Sequence, residues 1–295
     1  MRIAVTGANG RLGRALVAAL DDAPASGPGG PIAWTRREFD LDDPAAVGER
    51  LDEGRAEVVI HAAAWTDVDG AARDPELALR RNGSATGTLA AACAQRGIEL
   101  VVVSTNEVFD GRRTDGLGYR PDDEPAPINP YGASKLAGEV AAQAAYRDHP
   151  ERLSIVRTAW LYGPPGNDFP AKILAAGERA RVAGTPLRVV GDEIGSPTFT
   201  HDLAAAIVEL VTGDTPPSGT HHLVNAGRTS RAGWAREWLR LNRVEVEIEE
   251  VPASTWERPS TPPLWSVLEP TPLPSGEPMR PWQEALADYL PVAAR

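Results

Sequence analysis

Seven residues near the amino terminus, Gly7-Ala8-Asn9-Gly10-Arg11-Leu12-Gly13, constrain this chain more than any other stretch. They follow an apolar run at 2–6 and lead into 14–20, where apolar residues recur at helical spacing. A strand, a glycine turn and a helix in that order suit a dinucleotide. Glycines let the backbone turn tightly and approach a pyrophosphate, which sits on the helix's free amides and positive dipole end. The alternative is a turn of purely structural purpose. Residues 21–31, rich in Asp, Pro and Gly, read as a loop. The next apolar run, Ile32-Ala33-Trp34-Thr35, ends against Arg36-Arg37. A carboxylate at this strand end accepts from the ribose 2′-hydroxyl of NAD, whereas guanidinium groups suit the 2′-phosphate of NADP. NADPH is therefore expected, with NADH or two solvent-facing arginines as the alternatives.

Helical and strand patterns then alternate. Residues 44–54 read as a helix, 57–61 as a strand, and 76–96 as one long helix ending at Gly97, where a C-cap glycine belongs. Residues 98–104 form a continuous apolar strand of the kind buried on both faces of a parallel sheet. A helix at 131–147 and a strand at 153–157 follow. This predicts an α/β fold, a Rossmann-type doubly wound parallel sheet, with residues 1–158 as the NADP-binding domain. Residues 159–295 have a different texture, with a helix near 169–181, a strand at 187–190 and a helix at 201–212 behind the cap-like Thr200-His201-Asp202. Seven prolines lie between Pro252 and Pro274. This part reads as a smaller substrate-binding lobe, partly interleaved with the sheet and lying over the carboxyl ends of its strands.

Charge and composition exclude several classes of function. Lys and Arg number 30 against 41 Asp and Glu, a formal charge of −11, and the cations are scattered. Neither a nucleic-acid partner nor a polybasic hold on a membrane is expected. One cysteine, Cys93, excludes an internal disulfide, and the histidines (His61, His149, His201, His221 and His222) show no metal-ligand spacing, so no metal is expected. The start lacks the apolar stretch of a signal peptide, and no run reaches the length of a membrane helix, so a cytoplasmic protein is expected.

Tyr131-Gly132-Ala133-Ser134-Lys135 places a phenol and an ammonium four residues apart, on one helical face. A phenol with a pKa near 10 is a poor acid–base catalyst at neutrality, and a fixed ammonium beside it lowers that pKa. The chain has 5 tyrosines and two lysines in 295 residues, so about 0.03 such pairs are expected by chance.

At this point the sequence resembles the extended short-chain dehydrogenase/reductases, and within them the dTDP-4-dehydrorhamnose reductase family. The resemblance runs through the glycine loop, His61-Ala62-Ala63-Ala64 with Thr66 and Asp69, Asn82 with Gly87-Thr88, and Ser104 to Gly111. It continues through the Tyr131/Lys135 helix, Arg157 to Gly163, Gly166 to Phe169, Gly195-Ser196-Pro197-Thr198 and the terminal Trp282-x-Glu284-Ala285-Leu286. It implies hydride delivery from NADPH to the 4-keto group of a nucleotide-linked 4-keto-6-deoxysugar. Tyr131 would donate the proton, Lys135 would acidify it and hold the nicotinamide ribose, and Thr105 would bond the carbonyl oxygen. Gly7, Gly10, Arg11, Leu12, Gly13, Asp40, Leu41, Ala62, Ala63, Ala64, Tyr131 and Lys135 would touch the cofactor. Thr105, Asn106, Glu107 and Trp160 would touch the substrate. Some family members dimerise, and a homodimer is left open.

The chain departs from the pattern beside the sugar. The reductases usually read Ser-Thr-Asp-Tyr-Val-Phe where this chain reads Ser104-Thr105-Asn106-Glu107-Val108-Phe109. Nucleotide-sugar 4,6-dehydratases carry Thr-Asp-Glu there, so Glu107 resembles a dehydratase base, but Asn106 cannot serve as the partner acid. A dehydratase or epimerase, and a non-catalytic NADP-binding regulatory subunit, are the alternatives. The family's Asp-Gln before the Gly-Ser-Pro segment is here Asp192-Glu193.

Overall fold

Alternate residues of a strand face opposite sides of its sheet, and here both sides are apolar. The computed structural model describes residues 1–23, 30–213 and 218–293. Most of the loop expected at 21–31 lies outside the described residues. The first half runs β1 (Ile3–Thr6), α1 (Arg11–Asp21), β2 (Ile32–Trp34), α2 (Val47–Gly54), β3 (Val58–His61), α3 (Val68–Arg73) and α4 (Pro75–Ala78). It continues α5 (Ala85–Ala94), β4 (Glu99–Thr105), α6 (Pro130–Ala145) and β5 (Leu153–Thr158). Then follow β6 (Leu161–Tyr162), α7 (Phe169–Ala183), β7 (Leu187–Val190), β8 (Ile194–Gly195), β9 (Thr198–Phe199) and α8 (Thr200–Thr212). The last elements are β10 (Gly219–His222), β11 (Thr229–Ser230), α9 (Arg231–Leu241), β12 (Ile248–Val251) and α10 (Trp282–Ala293).

Six parallel strands form the central sheet in the order β10-β5-β4-β3-β1-β2. Ile3, Val5, Val58, Ile60, Val101 and Val156 point to one face, where α1 and α8 pack on them. Ala4, Val59, Leu100, Val102 and Ile155 point to the other, under α2, α5 and α6. Each buried Val, Ile or Leu contributes about 1.5–3 kcal/mol, which fixes the register of every strand against a one-residue slip. The chain leaves β1 for β2 on one side and returns to β3 on the other. Strand order therefore reverses at β1, and a crevice opens at the carboxyl ends of β1 and β3. A separate apolar cluster around Tyr162, Trp234, Trp238, Trp282 and Tyr289 holds α7, α9 and α10 together.

Two expectations need correction. The long helix over 76–96 is not uniform: residues Leu79–Ser84 form a π-helical turn between α4 and α5. The cause is Asn82, whose side chain accepts from the Trp65 amide at 2.8 Å and donates to the Trp65 carbonyl and Ser134 Oγ, both at 3.0 Å. Turning Asn82 inward also brings its carbonyl against α6, where a Cβ at Gly138 would lie 2.5 Å from it. The second correction is at Thr200-His201-Asp202, which lies inside α8 and does not cap it. Asp202 instead accepts from Asn225 Nδ2 at 2.7 Å and from both Nε and Nη2 of Arg280, at 2.8 and 2.9 Å.

Candidate active site

The glycine loop is held by close backbone approach. Gly7 adopts φ +68°, and a Cβ on it would lie 2.8 Å from Ala63 Cα. A Cβ on Gly13 would overlap the Gly7 carbonyl oxygen, so the first turn of α1 folds tightly under the loop. Thr6 Oγ1 accepts from the Ala63 amide at 3.1 Å and pairs with His61 Nδ1 at 2.8 Å, which ties the ends of β1 and β3 together. Burial brings His61 down to a pKa of about 3, with the charge of Lys135 acting the same way, so its ring is neutral and structural.

A cavity at the switch point is lined by Gly7, Gly10, Arg36, Asp40, Leu41, Ala62, Ala63 and Ala64, as the sequence placed them. Arg37 does not line it; its charge acts on Glu38, whose carboxylate caps the amide and hydroxyl of Thr35. The cavity is also lined by five residues that the sequence reading did not single out, Asn9, Phe39, Asp42, Trp65 and Arg81. Asp42 accepts from Arg36 Nη2 at 2.9 Å and from Arg81 Nε and Nη2 at 2.6 and 2.7 Å.

A second cleft, of about 520 Å³, adjoins the first through Gly10, Ala62 and Ala64. Arg11, Leu12, Gly13, Thr105, Asn106, Glu107, Tyr131, Lys135 and Trp160 converge on it from four separate segments. The start of α6 is set by Asn129, whose Oδ1 accepts from the Gly132 amide at 2.8 Å, with Pro130 at the first helical position. Gly132 is needed here because a Cβ would overlap the Glu107 carbonyl oxygen. Tyr131 and the 105–107 turn are thereby locked side by side. Asn129 Nδ2 donates to Glu107 Oε2 at 2.7 Å and to the Thr261 carbonyl at 3.1 Å, fastening the turn to the carboxyl-terminal part of the chain.

Burial governs the protonation of these groups. Against the expectation that Lys135 acidifies it, the Tyr131 phenol is pushed well above its ordinary pKa by burial, and further by Glu107, while a hydrogen bond with Thr105 acts the other way. Burial lowers Lys135 to about 8, opposed by the charge of Glu139 one turn on. Lys135 Nζ donates to the Val103 carbonyl at 2.8 Å. Glu107 is raised by burial, with the Asn129 hydrogen bond and Arg231 pulling it down. Trp160 takes a left-handed φ of +45°, an uncommon conformation for so large a residue, and its indole reaches within 2.5 Å of where a Cβ on Gly195 would stand. The glycine of the Gly-Ser-Pro segment thus makes room for the indole that walls the cleft.

Comparison with known proteins follows the same lines. The family described as RmlD substrate binding domain matches residues 1–294. A dTDP-4-dehydrorhamnose reductase of Streptomyces griseus is 37% identical over 294 residues, 98% of this chain and 92% of its own. The crystal structure of a dTDP-4-dehydrorhamnose reductase from Clostridium acetobutylicum superposes with a TM-score of 0.89 at 32% identity, covering 100% of both chains. That of the Bacillus anthracis reductase in complex with NADP gives 0.87 at 31% identity, over 98% of both chains.

Proposed function

The chain belongs to the RmlD substrate binding domain family, and from that premise we propose that it is an NADPH-dependent reductase of a nucleotide-linked 4-keto-6-deoxysugar, with dTDP-4-dehydrorhamnose as the first substrate to try. The observation that carries this reading is the convergence of Thr105, Tyr131 and Lys135 on the cleft that continues the glycine loop.

The residues present fit a dinucleotide. The loop has no Cβ at the three places where the backbone must come close, and the free amides of α1 open onto the cavity. Arg36 and Arg81 lie beside the strand end where a 2′-phosphate belongs. Bound there, NADPH supplies the hydride. The chain's own residues do the rest. Tyr131, kept protonated by burial, is ready to give its proton to the oxygen as negative charge builds on it, which is the demand of a reduction. Thr105, at the end of β4, donates a second hydrogen bond to that oxygen. Lys135 holds the nicotinamide ribose and lends positive charge to the phenol as its proton leaves. Trp160, Asn106 and Glu107 wall the sugar. In this division of labour residues 1–158 bind cofactor and contribute Thr105, Asn106 and Glu107 to the sugar, and 159–295 supply the rest of the substrate side, although β10 and α8 return to complete the sheet and its cover.

The test follows the absorbance of NADPH with purified protein and dTDP-4-keto-6-deoxyhexoses. Substrate-dependent loss that disappears in Tyr131→Phe supports the reading. Binding of NADPH with no turnover of any such sugar sinks it, in favour of a regulatory subunit. Release of water from a dTDP-hexose with no net use of NADPH would point instead to a dehydratase built on Glu107.

A further inference from the structure

A sugar nucleotide carries a diphosphate, and an acidic chain must supply a cation where that group lies. Three cations line the larger cleft: Arg11, Lys135 and Arg231. Arg11 belongs to the glycine loop and leans on the buried Asp168 at 3.6 Å, and Lys135 stands beside Tyr131. Arg231 comes from the carboxyl-terminal part of the chain, as the first residue of α9.

The setting of Arg231 is unusual for a structural ion pair. Its guanidinium lies flat on the Trp160 indole, 3.6 Å from the ring centre, and one quarter of the side chain stays exposed to the cleft. Glu193 accepts from Nε at 3.2 Å. Among the described residues no hydrogen bond is made by Nη1 or Nη2, so the outer edge of the fork is unpaired. A guanidinium fixed in plane by stacking, held at one edge and free at the other, is prepared for bidentate contact with phosphate oxygens.

We propose that Arg231 is the residue that binds the diphosphate of the sugar nucleotide, with Glu193 and Trp160 as the groups that position it. The inference rests on the function proposed above and adds the anchor that distinguishes a nucleotide-linked sugar from a free one. Pairing with Glu193 and stacking on Trp160 hold the guanidinium at the cleft.

Isothermal titration of dTDP, UDP, thymidine and NADPH tests it in the wild type, Arg231→Gln and Glu193→Gln. The wild type is expected to prefer dTDP or UDP to thymidine. Arg231→Gln should weaken the diphosphates by about tenfold or more, as loss of a charged bidentate contact does, and leave NADPH unchanged. Glu193→Gln keeps the stacking and removes a carboxylate near the phosphates, so it should tighten diphosphate binding by a fewfold. In turnover, Arg231→Gln should raise KM for the sugar nucleotide far more than it lowers kcat. Equal diphosphate affinity in the wild type and Arg231→Gln would overturn the assignment and leave the function standing, as would weaker binding in Glu193→Gln. A wild type that binds NADPH and none of the diphosphates would overturn the function and the assignment together.

Discussion

Arg81 grips Asp42 through both Nε and Nη2, at 2.6 and 2.7 Å, and the same carboxylate takes the Nη2 of Arg36. One carboxylate thus sits between two guanidinium groups on the wall of the cavity beside the glycine loop. A 2′-phosphate entering there must compete with Asp42 for both. Asp42→Asn weakens that competitor without changing its shape, so KM for NADPH should fall by a fewfold while KM for NADH stays put. Arg81→Ala should do the reverse and erase about tenfold of any preference for NADPH. Steady-state KM ratios for the two cofactors read both effects, and an unchanged ratio in Arg81→Ala removes Arg81 from cofactor choice.

Gly13→Ala drives a methyl group into the Gly7 carbonyl. The loop must then shift, at a cost of about 1–3 kcal/mol, and its amides no longer meet the pyrophosphate. Wild-type protein should gain thermal stability on adding NADPH, and Gly13→Ala should gain none. Gly166→Ala is the matched control, since nothing lies within 4 Å of a Cβ there, and it should respond as wild type.

How much of this was legible in the sequence depends on distance along the chain. Gly7, Gly10 and Gly13, or Tyr131 and Lys135, lie within seven residues of one another, and their spacing alone implies a shared turn or helical face. Arg81 and Asp42 are 39 residues apart, Arg231 and Glu193 38, and Glu107 and Asn129 22. Nothing local marks these as partners; Arg231 and Glu193 meet because β11 pairs antiparallel with β8, and Asn129 meets Glu107 because α6 packs against the turn after β4. Asn129 does carry a readable sign, an Asn before a helix-opening Pro. Arg36 and Arg37 show the opposite limit. Adjacent in sequence and alike in chemistry, they point differently, because Glu38 folds back on Thr35 and turns the chain between them. The π turn at Asn82 is hidden for a related reason, since the partners of its side chain, Trp65 and Ser134, lie 17 and 52 residues away.

Tyr131→Phe removes the proton and leaves the ring, so NADPH should still bind while kcat falls by about 10²–10⁴. Thr105→Val removes one donor to the carbonyl oxygen and should cost about 10²–10³. A Thr105→Val rate equal to wild type would take Thr105 out of the reaction.

Burial draws Lys135 from an ordinary 10.5 to about 8, and the sign of the consequence differs for stability and for rate. Between those values the unfolded chain holds a proton that the folded chain has released, so folding stability rises with pH through that window. Below it the folded state bears the full cost of a buried ammonium. Activity runs the other way, because the ammonium is the working form, and kcat should fall as pH rises through about 8. Lys135→Met should abolish activity, raise the melting temperature at neutral pH, and flatten the rise in stability between about pH 8 and 10.5. Calorimetry of the two proteins across that range checks it, and a wild-type melting curve that falls in parallel with the variant's refutes the buried-charge account.

Behind Lys135 lies an ion pair that the sequence motif does not reveal. Arg157 on β5 clasps Glu139 on α6 with Nε at 3.1 Å and Nη2 at 2.8 Å, both side chains 5% exposed or less, and Ser104 donates to the same carboxylate at 2.5 Å. Arg157 gives a further bond to the Pro121 carbonyl and lies over the Phe109 ring at 5.1 Å. Removing one partner leaves a charge stranded in the core, so Glu139→Leu or Arg157→Met alone should cost about 3–5 kcal/mol. Removing both leaves an apolar site of similar volume, and the double variant should recover most of that loss, with only the Ser104 and Pro121 bonds unmet. Denaturant unfolding of the four proteins measures the coupling. The double variant also separates structure from catalysis: Glu139 raises the Lys135 pKa, so without it the alkaline fall in kcat should begin at lower pH even when stability is restored. If stability returns and the profile does not move, Glu139 serves the fold alone.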